Sequence, residues 1–137
     1  MTTFRISEAA ALLGVSADTV RRWVDAGRLR AERDEHGHRR VGGADLAAFA
    51  RSQVGESEGG GRSSARNHFR GIVTDVVRDA VMAQVEIAAG PFRVVSLMSR
   101  QAADELGLEP GVVADAVIKS TNVVVEIPGH ERVAGNV

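Results

Sequence analysis

Three short polar stretches interrupt the apolar pattern of the second half of the chain. Ser64-Ala-Arg-Asn67 precedes the first Val-rich segment. Ser99 stands at the predicted N-cap of a short helix, and Lys119, followed by two hydroxyl residues, ends a later Val-rich segment. Lys119 is the only lysine among 17 Lys and Arg residues. An ammonium group, a guanidinium fork, hydroxyls and the unpaired N–H groups of a helix N-terminus can together hold a tetrahedral oxyanion, because each supplies hydrogen-bond donors or positive charge.

A second chemical signal is the concentration of arginine in the first 53 residues, where seven of nine arginines lie between Arg21 and Arg40. Ser16 can cap a helix over 17–26 on which Val20, Trp23 and Val24 share one face. Thr19, Arg21 and Arg22 are then left to face outward. A helix of this kind suits the DNA major groove, where arginine pairs bidentately with guanine. We expect Trp23 to belong to the core, because it shares a face with Val20.

The elements around this helix complete a small DNA-binding fold. Ser7 is predicted to cap a first helix ending at Leu13, Gly14-Val-Ser16 forms a tight turn, and Gly27 ends the second helix, which makes a helix-turn-helix. Residues 28–33 and 39–41 are predicted to form a β-hairpin around the turn 34–38, a wing that reaches phosphates or the minor groove. A third helix is predicted over 44–51. His36 and His38 lie in the hairpin turn without further ligands, so we expect no metal site.

The second half shows strand patterning instead of helical spacing. Strands are predicted near 68–78, 82–88, 92–98, 112–119 and 122–127, with one short helix near 99–106. The fold class is therefore α+β with two domains, a small winged helix-turn-helix followed by a five-stranded OB-like β-barrel with one short helix. We predict domains at 1–53 and 64–129, a flexible Gly-rich linker at 54–63, and a tail at 130–137.

Composition excludes several classes of function. The absence of cysteine excludes disulfides, thiolate metal sites and cysteine nucleophiles. No apolar run reaches the ~18 residues that a membrane span needs, and no signal peptide is apparent, so we expect a cytoplasmic protein without a membrane partner. The net charge of −1 conceals a basic first piece, with nine arginines against seven acidic residues, so it does not argue against nucleic acid.

Residues 4–52 resemble the MerR/excisionase type of winged helix. The resemblance lies in Ile6-Ser-Glu-Ala-Ala, Leu13-Gly-Val-Ser16, Thr19-Val-Arg-Arg-Trp23, Gly27-Arg-Leu29 and Arg39-Arg40 followed by Asp45-Leu46. The resemblance implies binding to double-stranded DNA. The long coiled-coil dimerisation helix of full MerR regulators is missing here, because the predicted linker follows at once. The predicted DNA contacts are Ser16, Thr19, Arg21, Arg22, Arg28, His38, Arg39 and Arg40.

Residues 63–127 resemble the molybdate-binding Mop/TOBE domain (molbindin-like). The resemblance lies in Ser64-Ala-Arg-Asn67 with Phe69-x-Gly71, in Val81-x-Ala-x-Val85, in Leu106-Gly-Leu-x-x-Gly111 and in Ala116-Val-Ile-Lys119. It implies a barrel that binds molybdate or tungstate at interfaces between paired domains. The implied ligands are Ser64, the main chain of Ala65, Arg66, Ser99 and Lys119. A second hydroxyl that is common three places after Ser99 is replaced here by Ala102.

These signals favour a DNA-binding transcriptional regulator that responds to molybdate or tungstate and is a homo-oligomer, a dimer or higher, through its C-terminal domain. Two alternatives remain open. One is an intracellular oligomer that stores or buffers the oxyanion and carries an accessory winged helix. The other is a constitutive DNA-binding protein whose barrel only dimerises. We expect no enzymatic activity, because no nucleophile relay, phosphate loop or clustered carboxylate pair occurs. We also do not expect the barrel to bind single-stranded nucleic acid, because that mode needs more exposed aromatic residues and a basic groove.

Overall fold

The computed structural model describes residues 2–54 and 62–129, and the chain divides into two compact units, Met1–Glu56 and Ser57–Val137. Most of the predicted linker, residues 55–61, and the predicted tail, 130–137, lie outside the described residues. Within the described residues, no helix is both long enough and apolar enough to cross a bilayer.

The first unit packs three helices against a small antiparallel sheet with the strand order β1-β3-β2. Its elements in chain order are β1 (Thr3–Arg5), α1 (Ile6–Leu13), α2 (Ala17–Asp25), β2 (Glu32–Arg33), β3 (Arg39–Gly42) and α3 (Gly43–Gln53). Strands β2 and β3 form the predicted hairpin, and β1 adds a third strand that the sequence did not predict. The helix-turn-helix arrangement of α1 and α2 is therefore present.

Local signals at the helix ends explain this arrangement, with one correction. The Ser16 hydroxyl accepts a hydrogen bond from the Thr19 backbone N–H at 3.1 Å, as a capping residue should. Gly14 and Gly27 take φ of 72° and 76°, in the left-handed region that glycine tolerates best. The prediction that Ser7 caps α1 was wrong. The helix begins at Ile6, two residues earlier than a Ser7 cap implies, because the Glu8 carboxylate accepts from the backbone N–H of the capping residue Arg5 at 2.8 Å.

The core of the first unit holds these elements together. Its buried residues come from all three helices, from β3 and from the segment after α2, and they are Ala9, Ala10, Val20, Leu29, Val41, Leu46 and Phe49. The Trp23 ring lies 4.8 Å from the Phe49 ring, centroid to centroid, and packs against this cluster. Trp23 is therefore part of the core, as expected, and the exposed side of α2 is left for other contacts.

The second unit is a curled antiparallel sheet with the strand order β6-β5-β4-β7. Its elements are β4 (Asn67–Arg78), β5 (Met82–Ala89), β6 (Phe92–Ser99), α4 (Arg100–Glu105), β7 (Val113–Ile118) and a 3-10 turn (Ser120–Asn122). The first half of β4 pairs with β7 and its second half with β5. Because β7 and β5 pair with different halves of one long strand, β4 sets the positions of both of these strands.

Gly71 marks the place where β4 passes from one partner to the other. A Cβ atom built there would lie 2.3 Å from the Ala88 carbonyl oxygen, so only glycine permits this approach. The pairing of β4 with β5 shifts register between Val73 and Asp75, which is the irregularity expected of a β-bulge. A bulge bends the strand and increases its twist. The close approach and the bulge together curl the sheet around the core residues Val73, Val85 and Ala103.

The predicted fifth strand at 122–127 is absent from the described part of the chain, which holds four strands in this sheet. After β7 the chain makes the 3-10 turn at 120–122, and residues 123–129 lie outside any strand. A strand forms only where its backbone groups find a ladder partner. The β-branched pattern predicted an extended strand, but among residues 2–54 and 62–129 no strand pairs with this segment.

Candidate functional site

The N-terminal half of α2 is held by a small network of hydroxyl groups. Besides capping the helix, the Ser16 Oγ lies 2.9 Å from the Thr19 Oγ1. Thr19 Oγ1 also accepts from Arg22 Nη2 at 3.2 Å. Arg22 has no carboxylate within 4 Å among residues 2–54 and 62–129. Ser16 and Thr19 therefore fix the start of the helix and one exposed guanidinium.

Three of the predicted arginine contacts are already paired with carboxylates. Arg21 Nη1 lies 2.5 Å from Asp18 Oδ1 on the same helix. Arg39 Nη2 lies 2.7 Å from Asp25 Oδ1, which joins the hairpin to the end of α2. Arg40 Nε lies 3.7 Å from an Asp34 oxygen in the hairpin. A phosphate that binds these arginines must displace or share these carboxylates.

Arg28 occupies a different environment, on the aromatic edge of the core. Its guanidinium lies 5.9 Å from the Trp23 ring centroid and 6.0 Å from that of Phe49. A guanidinium that lies over an aromatic face keeps the N–H groups in its plane available to donate hydrogen bonds to a ligand. Arg28 is exposed, so it can reach a ligand without losing its packing.

The hairpin turn is organised by one carboxylate. Asp34 Oδ1 accepts from the backbone N–H of His38 at 2.9 Å and of His36 at 2.8 Å. Both bonds hold the pKa of Asp34 below its usual range, and the bond from His38 has the larger effect. Gly37 takes a φ of 80° in this turn. The side chain of His38 remains exposed at the tip, and no group of three or more metal-ligating side chains occurs within the described residues.

A groove of about 840 Å³ lies between the start of α1, the helix α2 and the hairpin. It brings together half of the predicted contacts, namely Arg21, His38, Arg39 and Arg40, and adds Arg5 and Arg33. Ser16, Thr19, Arg22 and Arg28 do not line it. Sequence reasoning missed Arg5 because its contribution depends on β1 pairing with β3, and it left out Arg33, although this residue belongs to the same arginine cluster. The groove has five arginines on β1, α2 and the hairpin facing a single space, with Asp25 and Asp34 as the opposing charges.

In the second unit, the predicted ligands near Arg66 and Lys119 lie at one end of the sheet. Asn67 begins β4 and Ile118 ends β7, and the two residues are paired opposite each other. The Asn67 side-chain amide also donates to the Ile118 carbonyl at 3.0 Å. Ser64, Ala65 and Arg66 therefore enter the sheet where Lys119 leaves it. We call this the basic end.

The basic end carries two cations, Arg66 and Lys119. Within the described residues, neither Arg66 nor Lys119 has a carboxylate oxygen within 4 Å. Arg66 Nη1 instead donates to the main-chain carbonyls of Ser63 at 3.0 Å and Ala65 at 3.3 Å. The Ala65 N–H, a predicted ligand, donates to Ser63 Oγ at 3.0 Å. By contrast, arginines elsewhere in the sheet and beside α4 are paired with acids, namely Arg70, Arg78, Arg93 and Arg100.

Ser99 lies at the opposite end of the sheet. Ser99, the last residue of β6, is paired with Met82, the first residue of β5. The next residue of β5, Ala83, is paired with Arg78, the last residue of β4. β4 has 12 residues, and about 3.3 Å per residue gives about 35 Å of strand path. The structure of one chain therefore brings Ser64, Arg66 and Lys119 together but does not bring Ser99 to them.

The local geometry at Ser99 agrees with its predicted capping role. Its Oγ accepts from the Ala102 backbone N–H at 3.1 Å, and α4 begins at the next residue. Two N–H groups of the first turn are thus in use, since the Arg100 N–H donates to the Val81 carbonyl at 2.8 Å. The expectation of unpaired helix N–H groups is wrong for these two positions. The Ser99 hydroxyl hydrogen remains available to donate.

Comparison with known proteins assigns both halves of the chain to domain families. The TOBE domain family matches residues 63–125, and a helix-turn-helix domain family matches residues 3–54. Molybdenum-pterin-binding protein 1 of Clostridium pasteurianum is 39% identical over 63 residues, which cover 45% of this chain and 93% of that protein. Molybdenum-pterin-binding protein 3 of the same organism is 42% identical over 64 residues, with the same coverage.

One solved structure also has a similar sequence. The cytoplasmic molybdate-binding protein ModG, with molybdate bound, is 41% identical and has a TM-score of 0.48, and the match covers 50% of each chain. The curated relatives exceed 30% identity and are covered almost completely by this chain. The chain therefore belongs to the TOBE domain family through its C-terminal half, to which it joins an N-terminal helix-turn-helix domain.

Proposed function

We propose that this protein is a DNA-binding transcriptional regulator whose affinity for DNA depends on molybdate or tungstate bound between the C-terminal domains of paired copies. The observation that carries this proposal is the basic end, where Arg66 and Lys119 have no carboxylate partner within the described residues, on a domain related to molybdenum-pterin-binding proteins. A net-acidic domain that leaves these cations uncompensated is suited to an anion.

The proposed oxyanion site takes residues from two copies. Ser64, the main chain of Ala65, Arg66 and Lys119 come from the basic end of one copy, and Ser99 comes from the other. The separation of Ser99 from the basic end within one chain supports this division. Arg66 and Lys119 supply charge-assisted bonds, and the hydroxyls donate to the remaining oxygens. Because molybdate and tungstate are tetrahedral dianions of nearly equal size, we propose the site for both.

The proposed DNA interface is a winged helix of the MerR/excisionase type. Helix α2 enters the major groove with Ser16, Thr19, Arg21 and Arg22 at its leading half. The other proposed contacts reach the backbone or minor groove from the hairpin and its approach, and they are Arg28, His38, Arg39 and Arg40. The basic groove between α1, α2 and the hairpin supports this orientation. Binding to DNA also favours a cytoplasmic location.

The proposed regulation is thermodynamic linkage between the two sites. If the anion stabilises the pairing of C-terminal domains, it raises the effective concentration of the second DNA-binding domain at a two-part site. DNA then strengthens anion binding by the same factor, since linkage is reciprocal. No catalytic step is required of either half.

Calorimetric titration of the full chain with molybdate, tungstate and sulfate tests the anion site. We expect Lys119→Ala and Arg66→Ala each to weaken molybdate binding by roughly 10–100-fold, because a hydrogen bond to a charged group contributes about 1.5–3 kcal/mol. Arg93→Ala is the matched control, because it removes a cation of the same domain that is already paired with Glu86. Absence of heat with every anion, or equal losses in all three variants, would contradict the site.

A second candidate function, oxyanion storage, is favoured by one observation. The matched segment covers 93% of each of the two Clostridium pasteurianum relatives, so such a domain exists with little else attached. In a storage oligomer the helix-turn-helix domain would be accessory. Competition binding with a selected DNA sequence and random DNA separates the two functions. Equal affinity for both DNAs would favour storage over regulation.

A further inference from the structure

Two arginines of the first unit lie directly opposite each other on neighbouring strands. Arg5 is the last residue of β1, and its register partner on β3 is Arg40. Residues in such a position carry their side chains on the same face of the sheet, with Cβ atoms about 4.5–5.5 Å apart. Two like charges directly opposite each other destabilise a sheet. A negative group close to both guanidinium groups would relieve this repulsion.

Arg5 receives no such group from the part of the chain that the structure describes. No carboxylate oxygen among residues 2–54 and 62–129 lies within 4 Å of its guanidinium. The carboxylate of Glu8 is close in sequence, but it accepts from the Arg5 backbone N–H at 2.8 Å and not from the side chain. Because Arg5 is also exposed, its charge is open to a ligand.

Arg40 has only a loose partner. Its Nε lies 3.7 Å from Asp34 Oδ2, which exceeds the upper limit of about 3.2 Å for an N–H···O hydrogen bond. The other oxygen of Asp34 takes its short bonds from the backbone of the hairpin turn. Glu32 lies opposite Arg40 on the other side of β3, but its carboxylate lies 3.0 Å from Arg30 Nη2. The acid opposite Arg40 is therefore engaged by another arginine.

The same sheet contains a second pair of opposed arginines, and that pair is compensated. Arg33 of β2 lies opposite Arg39 of β3. Arg39 Nη2 lies 2.7 Å from Asp25 Oδ1, and Arg33 Nη1 donates to the Gly37 carbonyl at 2.6 Å. Each guanidinium of this second pair thus has a short bond inside the protein. The pair on β1 and β3 differs, because neither of its guanidinium groups makes such a bond within the described residues.

We propose that Arg5 and Arg40 form a clamp that holds one phosphate group of the DNA backbone between them. Both residues line the basic groove between α1, α2 and the hairpin. A phosphodiester carries one negative charge and two unesterified oxygens, and guanidinium groups bind such oxygens through short charge-assisted hydrogen bonds. The bound phosphate also relieves the repulsion between the two arginines. The clamp rests on the proposed DNA interface and adds Arg5 to its contacts.

Anisotropy titrations of the full chain at fixed salt, with a selected DNA sequence and with random DNA, test the contact. We expect Arg5→Gln to weaken binding to both DNAs by the same factor, roughly 10-fold, because a hydrogen bond to a charged group is lost and a phosphate contact carries no base information. Arg51→Gln is the matched control, because it removes an exposed arginine of the same unit that lies outside the groove. Equal affinities of the two variants would overturn the contact.

The stability of the unbound protein supplies a second readout. Because Arg5→Gln removes one member of a like-charged pair, its Tm by tryptophan fluorescence should equal or exceed that of the unsubstituted chain. A lower Tm would show that Arg5 supports the fold and would overturn its assignment as an uncompensated charge.

A salt series distinguishes one shared phosphate from two separate ones. The logarithm of the DNA association constant falls with the logarithm of the salt concentration, with a slope of about 0.9 for each neutralised phosphate. For a shared phosphate, the double variant Arg5→Gln, Arg40→Gln should lower this slope by about 1, and Arg5→Gln alone by much less, because Arg40 still neutralises the phosphate. Decreases of about 1 for the single variant and about 2 for the double variant would overturn the clamp.

These outcomes are separable from those of the proposed function, because none of them involves molybdate. A chain that loses DNA affinity with Arg5→Gln as expected, but whose DNA affinity does not respond to molybdate, would refute the proposed regulation and retain the clamp. An unsubstituted chain that binds neither DNA would overturn both.

Discussion

Substitution of Gly71 by alanine tests whether the close approach of β4 to β5 shapes the curled sheet. The added Cβ would lie 2.3 Å from the Ala88 carbonyl oxygen and 2.7 Å from Ile87 Cγ2. Since non-bonded carbon atoms pack at about 3.5–4.0 Å, the strands would have to separate by about 1 Å. The obstructing oxygen is backbone, and the neighbouring pair Ile72 and Ala88 holds it in the ladder. Rotation of a side chain therefore cannot relieve the clash.

The expected loss of stability follows from two opposing effects. Overpacking of this kind costs about 1–3 kcal/mol, and we expect the upper end because backbone must move. Replacing glycine by alanine also restricts the unfolded chain, which returns about 0.4–1 kcal/mol. The net destabilisation is therefore about 2 kcal/mol. For a unit of this size, 1 kcal/mol shifts the Tm by roughly 4–8 °C, so the C-terminal unit should melt roughly 8–16 °C lower.

The single tryptophan supplies an internal control for this measurement. Trp23 lies in the first unit, so its fluorescence reports that unit alone, whereas circular dichroism reports both. At fixed protein concentration, we expect Gly71→Ala to leave the Tm of the fluorescence transition unchanged. The Tm of the second transition, which circular dichroism reports for the C-terminal unit, should fall. Gly129→Ala is the comparison variant, because its Cβ meets nothing within 4 Å. Equal Tm values for the two variants would refute the steric reasoning.

Two further predictions concern the first unit. Asp25→Asn should weaken DNA binding in an anisotropy titration at fixed salt, although it removes a negative charge, because Arg39 loses the bond that joins the hairpin to α2. Asp18→Asn, which breaks only a pair within α2, should leave the affinity equal or higher, and a matching loss in both variants would contradict the positioning role. The lowered pKa of Asp34 means that its carboxylate stabilises the hairpin above its unfolded pKa of about 3.9 and that this contribution is lost as pH falls through the folded pKa. Asp34→Asn should therefore destabilise the first unit at neutral pH, measured by tryptophan fluorescence, and its effect should shrink progressively as the pH falls below about 3.9. An effect that does not change with pH would show that the carboxylate charge is not responsible.

Local chemistry made part of this fold predictable from sequence. The caps at Ser16 and Ser99 and the turns at Gly14 and Gly27 depend on residues within three positions of one another, and they form as predicted. The Ser7 cap failed within the same range, because the Glu8 carboxylate accepts from the Arg5 N–H and makes Arg5, two residues before Ser7, the capping residue. A short-range pattern therefore predicts that a helix starts but not which residue starts it.

Features that depend on distant partners could not be predicted. β1 has three residues and exists only because it pairs with β3, which begins at Arg39. The pairing of Arg39 with Asp25 likewise requires the hairpin to fold against α2. The predicted fifth strand is absent for a related reason, since the pattern at 123–127 was typical of a strand but the described part of the chain holds no strand paired with it. The ligand set was predicted for interfaces between paired domains, and within one chain Ser99 lies at the other end of the sheet from Lys119.

The most direct test of the central claim is DNA affinity measured against titrated molybdate at one fixed salt concentration. The DNA would be a sequence selected by this protein from a random pool, and fixed salt is necessary because phosphate contacts make affinity strongly salt-dependent. Linkage predicts that saturating molybdate changes the dissociation constant for DNA by roughly 5–150-fold, corresponding to about 1–3 kcal/mol, and that Lys119→Ala abolishes the change at the same molybdate concentration. An unchanged dissociation constant, in a protein that calorimetry shows to be saturated with molybdate, would contradict the account.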